Sequence, residues 1–344
     1  MVTRADVAKK AGVSASTVSY ALTGKRSIKP ETRERILQVV AELNYVPHFA
    51  AGALRGGKSR TLAMLFPGSA AGISPVALQY ITGAVNAASA RGYALILWPA
   101  ENADMKQIAT LAKSGLLGAV LLMEIHLKDQ RVAYLVEQQV PLTMIGRTAD
   151  PGAINYVDRD FEEVAKSAID YFFELGHKNI AFLTQSSEKK EKDPRGVDHR
   201  FQSAILDQAK RHKMSAVEIP SLNDPASGRL SYQLLRKKYK EVTGVLALPD
   251  LATIGFINGA HEEGISIPGD LSIISVNTPR AQINMSWPKL TTVDLPAYEM
   301  AASAINISID ELEEIANPHK QQLWAGDLLI GDSTAPVKQL TRSS

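Results

Sequence analysis

The chain has 344 residues, of which 45% are hydrophobic and 22% are charged, and its net charge is +2 at pH 7. At roughly 150 residues per domain, this length predicts two or three compact units. The lack of cysteine excludes disulfides and thiolate metal sites. The sequence contains no run of about 18 apolar residues, so no membrane span is predicted. The first residues lack the apolar core of a secretory signal, so we expect a cytoplasmic protein with no membrane partner.

The small net charge hides an uneven distribution along the chain. Residues 1–60 carry 11 Lys and Arg against 4 Asp and Glu, a net +7. The remaining residues carry 27 against 32, a net −5. A basic head on a mildly acidic body indicates a polyanionic partner for the head alone.

The head begins with signals for two short helices joined by a tight corner. Thr3 and Asp6 form a variant of the capping box, which predicts a helix start, and Gly12 predicts its end. Ser14 is placed to cap a second helix over 15–22. This spacing is typical of a helix-turn-helix.

A third helix is predicted from Pro30, because proline is favoured at the first helical position. Apolar residues recur at helical spacing in all three segments and predict a shared core. These are Val7, Ala8, Ala11, Val18, Leu22, Ile36, Val39, Val40 and Leu43.

The outward face of the second helix has small and hydroxyl side chains, which allow a helix to lie deep in a major groove. The face consists of Ala15, Ser16, Ser19 and Tyr20. Basic residues flank it and are suited to phosphates, namely Lys9, Lys10, Lys25, Arg26, Lys29 and Arg33. The alternative is a small helical domain with a solvated basic surface.

Four segments of the head, DVAKKAGVS, TVSYALTG, PETRERIL and ELNYVP, carry a family resemblance. They resemble the lactose/galactose-repressor (LacI/GalR) family of bacterial transcription regulators. The resemblance implies that Ala15, Ser16 and Tyr20 read bases, with Tyr20 where many relatives have Arg. The full implied DNA-binding set is Thr3, Ser14, Ala15, Ser16, Thr17, Ser19, Tyr20, Lys25, Arg26, Lys29, His48, Leu54 and Arg55.

Residues 47–60 are predicted to be a conditional hinge. Gly52 weakens a helix that is already marginal at this length, so we expect it to order only on DNA. The resemblance implies that Leu54 wedges into a minor-groove base step, whereas alone it would be a plain linker residue. The stretch 52–59 also matches the phosphate-loop pattern G-x4-G-K-[ST], but the strand follows it instead of preceding it, so we expect no nucleotide there.

From residue 61 onwards, apolar runs alternate with helical patterns. Two series of runs are typical of buried parallel strands, at 62–66, 93–98, 118–123 and 141–146, then at 179–184, 244–249 and 271–276. The predicted fold is a small all-α helix-turn-helix head plus an α/β body of two doubly wound parallel-sheet subdomains.

The body segments 172–184, 243–277 and 290–296 resemble the effector domain of the same family, which is similar to periplasmic sugar-binding proteins. The resemblance implies three crossings between subdomains, near 159, 290 and 323. The predicted organisation is a DNA-binding domain at 1–46, a hinge at 47–60, a body at 61–333 (61–159 with 291–322, and 160–290 with 323–333) and a tail at 334–344.

Polar residues at strand ends are the candidate effector ligands, because open α/β sheets bind ligands there. The candidates are Ser69, Glu124, Arg147, Arg200, Asp250 and Asn277, and each would otherwise be a rim residue in solvent. Departures from the family pattern, such as Pro249 before Asp250, leave a modified or larger sugar, another metabolite or a decayed pocket as alternatives to a simple monosaccharide.

No catalytic constellation, metal-binding spacing or cofactor motif is found in the sequence, and the carboxylate pairs Asp158/Asp160 and Glu262/Glu263 are interpreted as solvated faces. The prediction is therefore a non-enzymatic, ligand-responsive regulator that binds a pseudo-palindromic operator as a homodimer. One alternative is a small-molecule or sugar-binding protein without a DNA-regulatory role, and another is an enzyme built on the body.

Overall fold

The computed structural model describes residues 2–23, 26–43, 45, 59–67, 73–100, 104–185, 194–278, 280–315 and 320–337. The chain divides into two compact units, Met1–Ser59 and Arg60–Ser344. Within the described residues, no helix has the length and apolar character needed to cross a membrane.

The described part of the first unit contains the helices α1 (Arg4–Ala11), α2 (Ala15–Thr23) and α3 (Pro30–Glu42). The predicted capping box is confirmed, since the Thr3 hydroxyl accepts from the Asp6 amide at 3.3 Å and the Asp6 carboxylate accepts from the Thr3 amide at 2.8 Å. Gly12 ends α1 with φ +65°, a left-handed conformation that glycine adopts without strain.

The three helices bury one small core. Val7, Val18 and Ile36 are fully buried, each contributing about 1.5–3 kcal/mol relative to exposure, while Leu22 packs at the edge. The predicted inward faces of all three helices are therefore confirmed.

The second unit alternates strands and helices. Its strands are β1 (Thr61–Phe66), β2 (Ala94–Pro99), β3 (Ala119–Leu122), β4 (Leu142–Ile145), β5 (Asn155–Arg159), β6 (Asn179–Gln185), β7 (Ser215–Ser221), β8 (Gly244–Ala247), β9 (Ser272–Ser275), β10 (Thr291–Val293), β11 (Gln321–Trp324) and β12 (Leu328–Leu329). Its helices are α4 (Pro75–Ala90), α5 (Met105–Lys113), α6 (Gln130–Glu137), α7 (Phe161–Glu174), α8 (Gly196–Arg211), α9 (Pro225–Lys238), α10 (Asp250–Glu262) and α11 (Ala297–Glu313), with a 3-10 helix at Arg280–Met285.

These strands form two six-stranded sheets among the described residues, in the orders β11-β5-β4-β3-β1-β2 and β12-β10-β9-β8-β6-β7. All neighbouring strands are parallel except β12, which runs antiparallel to β10. Helices α4 and α11 cover one face of the first sheet and α5 and α6 the other, and α7 and α8 oppose α9 and α10 on the second. The predicted doubly wound fold is confirmed. We call each sheet with its helices the first and the second subdomain.

The chain passes between these subdomains in three segments. It leaves the first sheet after Arg159, returns after Val293 and leaves again after Trp324. The predicted first subdomain contained 291–322, but β10 pairs with β9 through Thr291 and Ile274, so residues 291–293 lie in the second sheet. Likewise, residues 323–324 lie in the first sheet because β11 pairs with β5 along its whole length.

Candidate DNA-binding surface and effector cavity

The exposed start of α2 carries a network of hydroxyl groups. The Ser14 hydroxyl accepts from the Thr17 amide at 3.1 Å, which confirms it as the cap of α2. The same hydroxyl shares hydrogen bonds with Ser16 at 2.7 Å and Thr17 at 2.8 Å. Because Ala15 and Ser16 are exposed, the first turn of α2 presents small side chains that allow another surface to approach closely.

Tyr20 and Arg26 lie together at the far end of this face. The Arg26 guanidinium carbon is 5.7 Å from the centre of the Tyr20 ring, which is within the range of a cation–π contact. Lys29 is also exposed and makes no side-chain cap with α3. Lys10, in contrast, forms an ion pair with Glu42 at 2.9 Å. The sequence predicts that Lys10 contacts phosphate, but its charge is already paired within the unit.

Five predicted site residues lie outside the residues that the structure describes: Lys25, His48, Leu54, Arg55 and Ser69. Most of the 52–59 stretch that matches the phosphate-loop pattern lies outside them as well.

In the second unit, a cavity of about 480 Å³ lies between the two subdomains. Most of its lining residues lie at or just after the carboxyl ends of strands in both sheets, as predicted for an open α/β fold. Among the predicted effector ligands, Glu124, Asp250 and Asn277 line this cavity. Arg147 and Arg200 do not.

Glu124 forms an ion pair with Arg195, which follows the other subdomain's β6 in the chain. Arg195 also lies 2.5 Å from Asp198, and only 14% of its side chain is exposed. Burial by itself lowers the pKa of Arg195, but the two carboxylates outweigh this effect and raise the pKa overall. Backbone hydrogen bonds from Gly196 to Ile125 (2.7 Å) and from Leu127 to Pro194 (3.1 Å) reinforce the contact, so the chain connects the two subdomains beside Glu124.

Arg147 and Arg200 are directed at protein groups beside the cavity. Arg147 donates to Asp158 at 2.9 Å, and Arg200 donates to the carbonyl oxygens of Arg147 at 2.9 Å and Thr148 at 2.7 Å. Asp158 is 5% exposed, so the prediction that it belongs to a solvated face is wrong. Arg200 joins the two subdomains, since it lies on α8 and its acceptors follow β4, whereas the Arg147–Asp158 ion pair lies within the first subdomain.

Asp250 starts α10, and only one of its two carboxylate oxygens has a hydrogen-bond partner. One oxygen accepts from the Asn223 side-chain amide at 2.7 Å, while Oδ2 is buried without a hydrogen-bond partner. The Asn223 side-chain oxygen, Oδ1, accepts from the Leu251 backbone amide at 2.9 Å. Pro249 makes no side-chain cap, so Asn223 supplies that interaction from the loop after β7.

Sequence reasoning missed several cavity residues, namely Tyr80, Arg159, Gln185 and Asn223. Arg159 is the most unusual, because it is 4% exposed and two of its nitrogens have no partner. Its position at the end of a strand was the available signal, and the polar character of the sequence NYVDR concealed that strand. No group of metal-binding side chains occurs among the described residues.

Comparison with known proteins identifies both units. Residues 3–48 match bacterial regulatory proteins of the lacI family, and residues 169–334 match the periplasmic binding protein-like domain. The chain belongs to the lacI family of bacterial regulatory proteins. As a lacI-family member, it is a DNA-binding transcription regulator and not an enzyme.

Relatives in the lacI family span almost the whole chain. Catabolite control protein A of Priestia megaterium is 28% identical over 319 residues, covering 89% of this chain and 91% of that protein. The probable HTH-type transcriptional repressor ExuR of Bacillus subtilis (strain 168) is 26% identical over 346 residues, covering 99% and 100%.

Solved structures share the fold. The lac repressor dimer bound to operator and the anti-inducer ONPF has a TM-score of 0.80 at 20% identity, covering 97% of this chain and 99% of that chain. The transcriptional regulator CelR in complex with cellobiose has a TM-score of 0.71 at 20% identity, covering 97% and 100%.

Proposed function

We propose that this lacI-family regulator represses transcription as a homodimer bound to a pseudo-palindromic operator, and that a small molecule in the cavity controls its operator affinity. The observation that carries the proposal is the presence in one chain of a helix-turn-helix unit and a two-subdomain unit with a cavity lined by apolar and polar side chains. A sugar or sugar-derived effector is supported by the cellobiose complex among the structural neighbours and by the unpartnered Asp250 oxygen, which suits a hydroxyl donor.

In the first unit, Ala15, Ser16 and Tyr20 are proposed to contact base edges in the major groove. The exposure of Ala15 and Ser16 on the first turn of α2, and the position of the half-buried Tyr20 one turn later, support this role. Tyr20 would offer one hydroxyl and an aromatic face, held beside Arg26. A site read in this way differs from one read by the bidentate guanine contact of an arginine.

The other residues of the predicted DNA-binding set are proposed to contact phosphates or to hold the unit in register. They are Thr3, Ser14, Thr17, Ser19, Lys25, Arg26, Lys29, His48 and Arg55. Leu54 remains proposed as the minor-groove wedge of a hinge that folds on DNA. Because a transcription regulator must reach the DNA that it controls, we propose a cytoplasmic location.

The homodimer is supported by exposed apolar side chains on the second unit. Strand β2 is an edge strand with Ile96 and Leu97 exposed, and α4 next to it exposes Leu78. Leu230 on α9 is 65% exposed and Ile254 on α10 is 45% exposed. Unpaired edges and exposed apolar side chains are typical of interfaces, and a two-fold dimer would present two heads to two half-sites.

Selection of genomic fragments by the full chain, followed by footprinting and anisotropy titration, tests the proposal. We expect a footprint with two half-sites and an affinity whose log–log salt slope is about −0.9 per phosphate neutralised. Tyr20→Ala should lower the preference for this site by about fivefold or more, because a specific base contact is worth roughly 1–3 kcal/mol. Tyr20→Phe is the matched control that keeps the ring. A flat salt response with no preferred site would contradict the proposal.

A further inference from the structure

Arg159 is a cation buried at the junction of the two subdomains. It ends β5, immediately before the chain enters the second subdomain. Its Nη2 donates to the carbonyl oxygens of Val293 and Asp294, both at 2.8 Å. Its Nε and Nη1 are buried and have no hydrogen-bond partner.

The charge of Arg159 is not balanced by an ion pair. None of the ion pairs within the described ranges includes its guanidinium, and the neighbouring Asp158 carboxylate accepts from Arg147 and the Arg159 backbone amide instead. Burial lowers the pKa of Arg159 to about 10, so the side chain is still protonated at neutral pH. A buried charge without a partner is unfavourable, and an anion placed beside it relieves that cost.

The cavity supplies the space for such an anion. Arg159 lines it together with Tyr80 and Asn277, and Asp250 lines it with a second unpartnered group, the oxygen Oδ2. Arg195 does not line the cavity, and it already pairs with Glu124 and Asp198. Two hydrogen-bond partners are therefore missing from the cavity. Arg159 lacks a negatively charged acceptor, and Asp250 lacks a hydroxyl or amine donor.

We propose that the effector is an anionic polyol, a sugar derivative that carries a carboxylate or a phosphate, and that Arg159 is the residue that selects this anionic group. The inference deepens the proposed function, because it names the class of ligand for the same cavity. A charge-assisted hydrogen bond to Arg159 would satisfy the buried cation, while the hydroxyl groups donate to Asp250.

The position of Arg159 also connects the ligand to the segments that join the subdomains. Arg159 belongs to the first segment and holds the second through Val293 and Asp294. Gly326 belongs to the third segment and leaves no room for a side chain, since a Cβ there would lie 1.9 Å from the Asp294 oxygen and 3.3 Å from Arg159 Nη2. An anion bound to Arg159 would therefore contact the guanidinium that bonds to the second segment and lies beside the third.

Calorimetric titration of the full chain tests the inference. The panel contains a neutral hexose and disaccharide, the corresponding uronic and aldonic acids, and the corresponding sugar phosphates. We expect a carboxylate or a phosphate member to bind at least about 30-fold more tightly than its neutral parent, since removing one partner of a buried charge pair costs that much or more. The two anionic arms distinguish the carboxylate from the phosphate.

Arg159→Met should lower the affinity for the preferred anion by about 30-fold or more and leave that for the neutral parent within threefold. Arg159→Lys should retain part of the preference, and Arg211→Met, at an exposed arginine of α8, is the matched control. Equal binding of neutral and anionic members, no binding of any anionic member below about 1 mM, or an unchanged affinity in a folded Arg159→Met would overturn the inference. Operator binding without ligand is measured in parallel, so a chain that selects anions but not DNA contradicts only the proposed function.

Discussion

Replacing Arg195 by Met should weaken the contact that connects the two subdomains beside the cavity. The guanidinium joins Glu124 of the first subdomain to Asp198 of the second, with 33%, 14% and 14% of the Glu124, Arg195 and Asp198 side chains exposed. Removing one partner of a buried ion pair costs about 3–5 kcal/mol, because the remaining charge stays buried. Since Glu124 is one-third exposed and regains water, we expect the lower end, about 3 kcal/mol.

The assay is urea unfolding of the second unit, followed by circular dichroism. Met keeps most of the volume of Arg, so the change reports chiefly on charge. A double-mutant cycle with Glu124→Gln should give a coupling of about 1 kcal/mol between the two side chains. Arg211→Met, on the exposed side of α8, should stay within about 0.5 kcal/mol of the parent. An Arg195→Met variant as stable as the parent, or a cycle with no coupling, would refute the reasoning.

Three further predictions follow from individual contacts. Asn223→Ala should destabilise the second unit by about 1–2 kcal/mol in urea unfolding, because the α10 amide and the Asp250 carboxylate both lose a partner, and an unchanged midpoint would contradict this. Burial lowers the pKa of His177 from 6.5 to about 4, so the unfolded chain binds a proton that the folded chain does not, and stability should fall by about 3 kcal/mol as the pH drops from 6.5 to 4. The pH dependence should be shallower in His177→Gln, and an identical slope would exclude this origin. Leu230→Asp should shift the sedimentation coefficient towards the monomer at micromolar concentration without lowering the helix content, whereas an unchanged dimer would remove Leu230 from the interface.

Local signals and continuous apolar runs made much of the fold predictable. Thr3, Asp6 and Gly12 act through neighbours within one helical turn, so their spacing alone predicts α1. Strands such as β1 are buried on both faces and therefore consist of an uninterrupted apolar run. The same rule missed β5, whose five residues are all buried although they include Asn155, Asp158 and Arg159.

The arrangement of the cavity was less predictable, because it depends on partners distant in sequence. Arg147 and Asp158 are 11 residues apart, and Arg159 and Asp294 are 135 apart, so neither contact follows from spacing. Strand ends correctly placed Glu124, Asp250 and Asn277 at the cavity. They do not indicate which charges are already neutralised, and among the described residues that line the cavity Arg159 is the cation for which no ion pair is seen.

The central claim is that a ligand in the cavity controls the binding of DNA. The most direct measurement is the equilibrium affinity of the full chain for its footprinted operator, with and without a saturating concentration of a ligand shown by calorimetry to occupy the cavity. We predict a change in operator Kd of at least about fivefold, which is the lower end of typical allosteric coupling, and the loss of that change in Arg159→Met at the same ligand concentration. An operator Kd that stays the same while the cavity is filled would contradict the account.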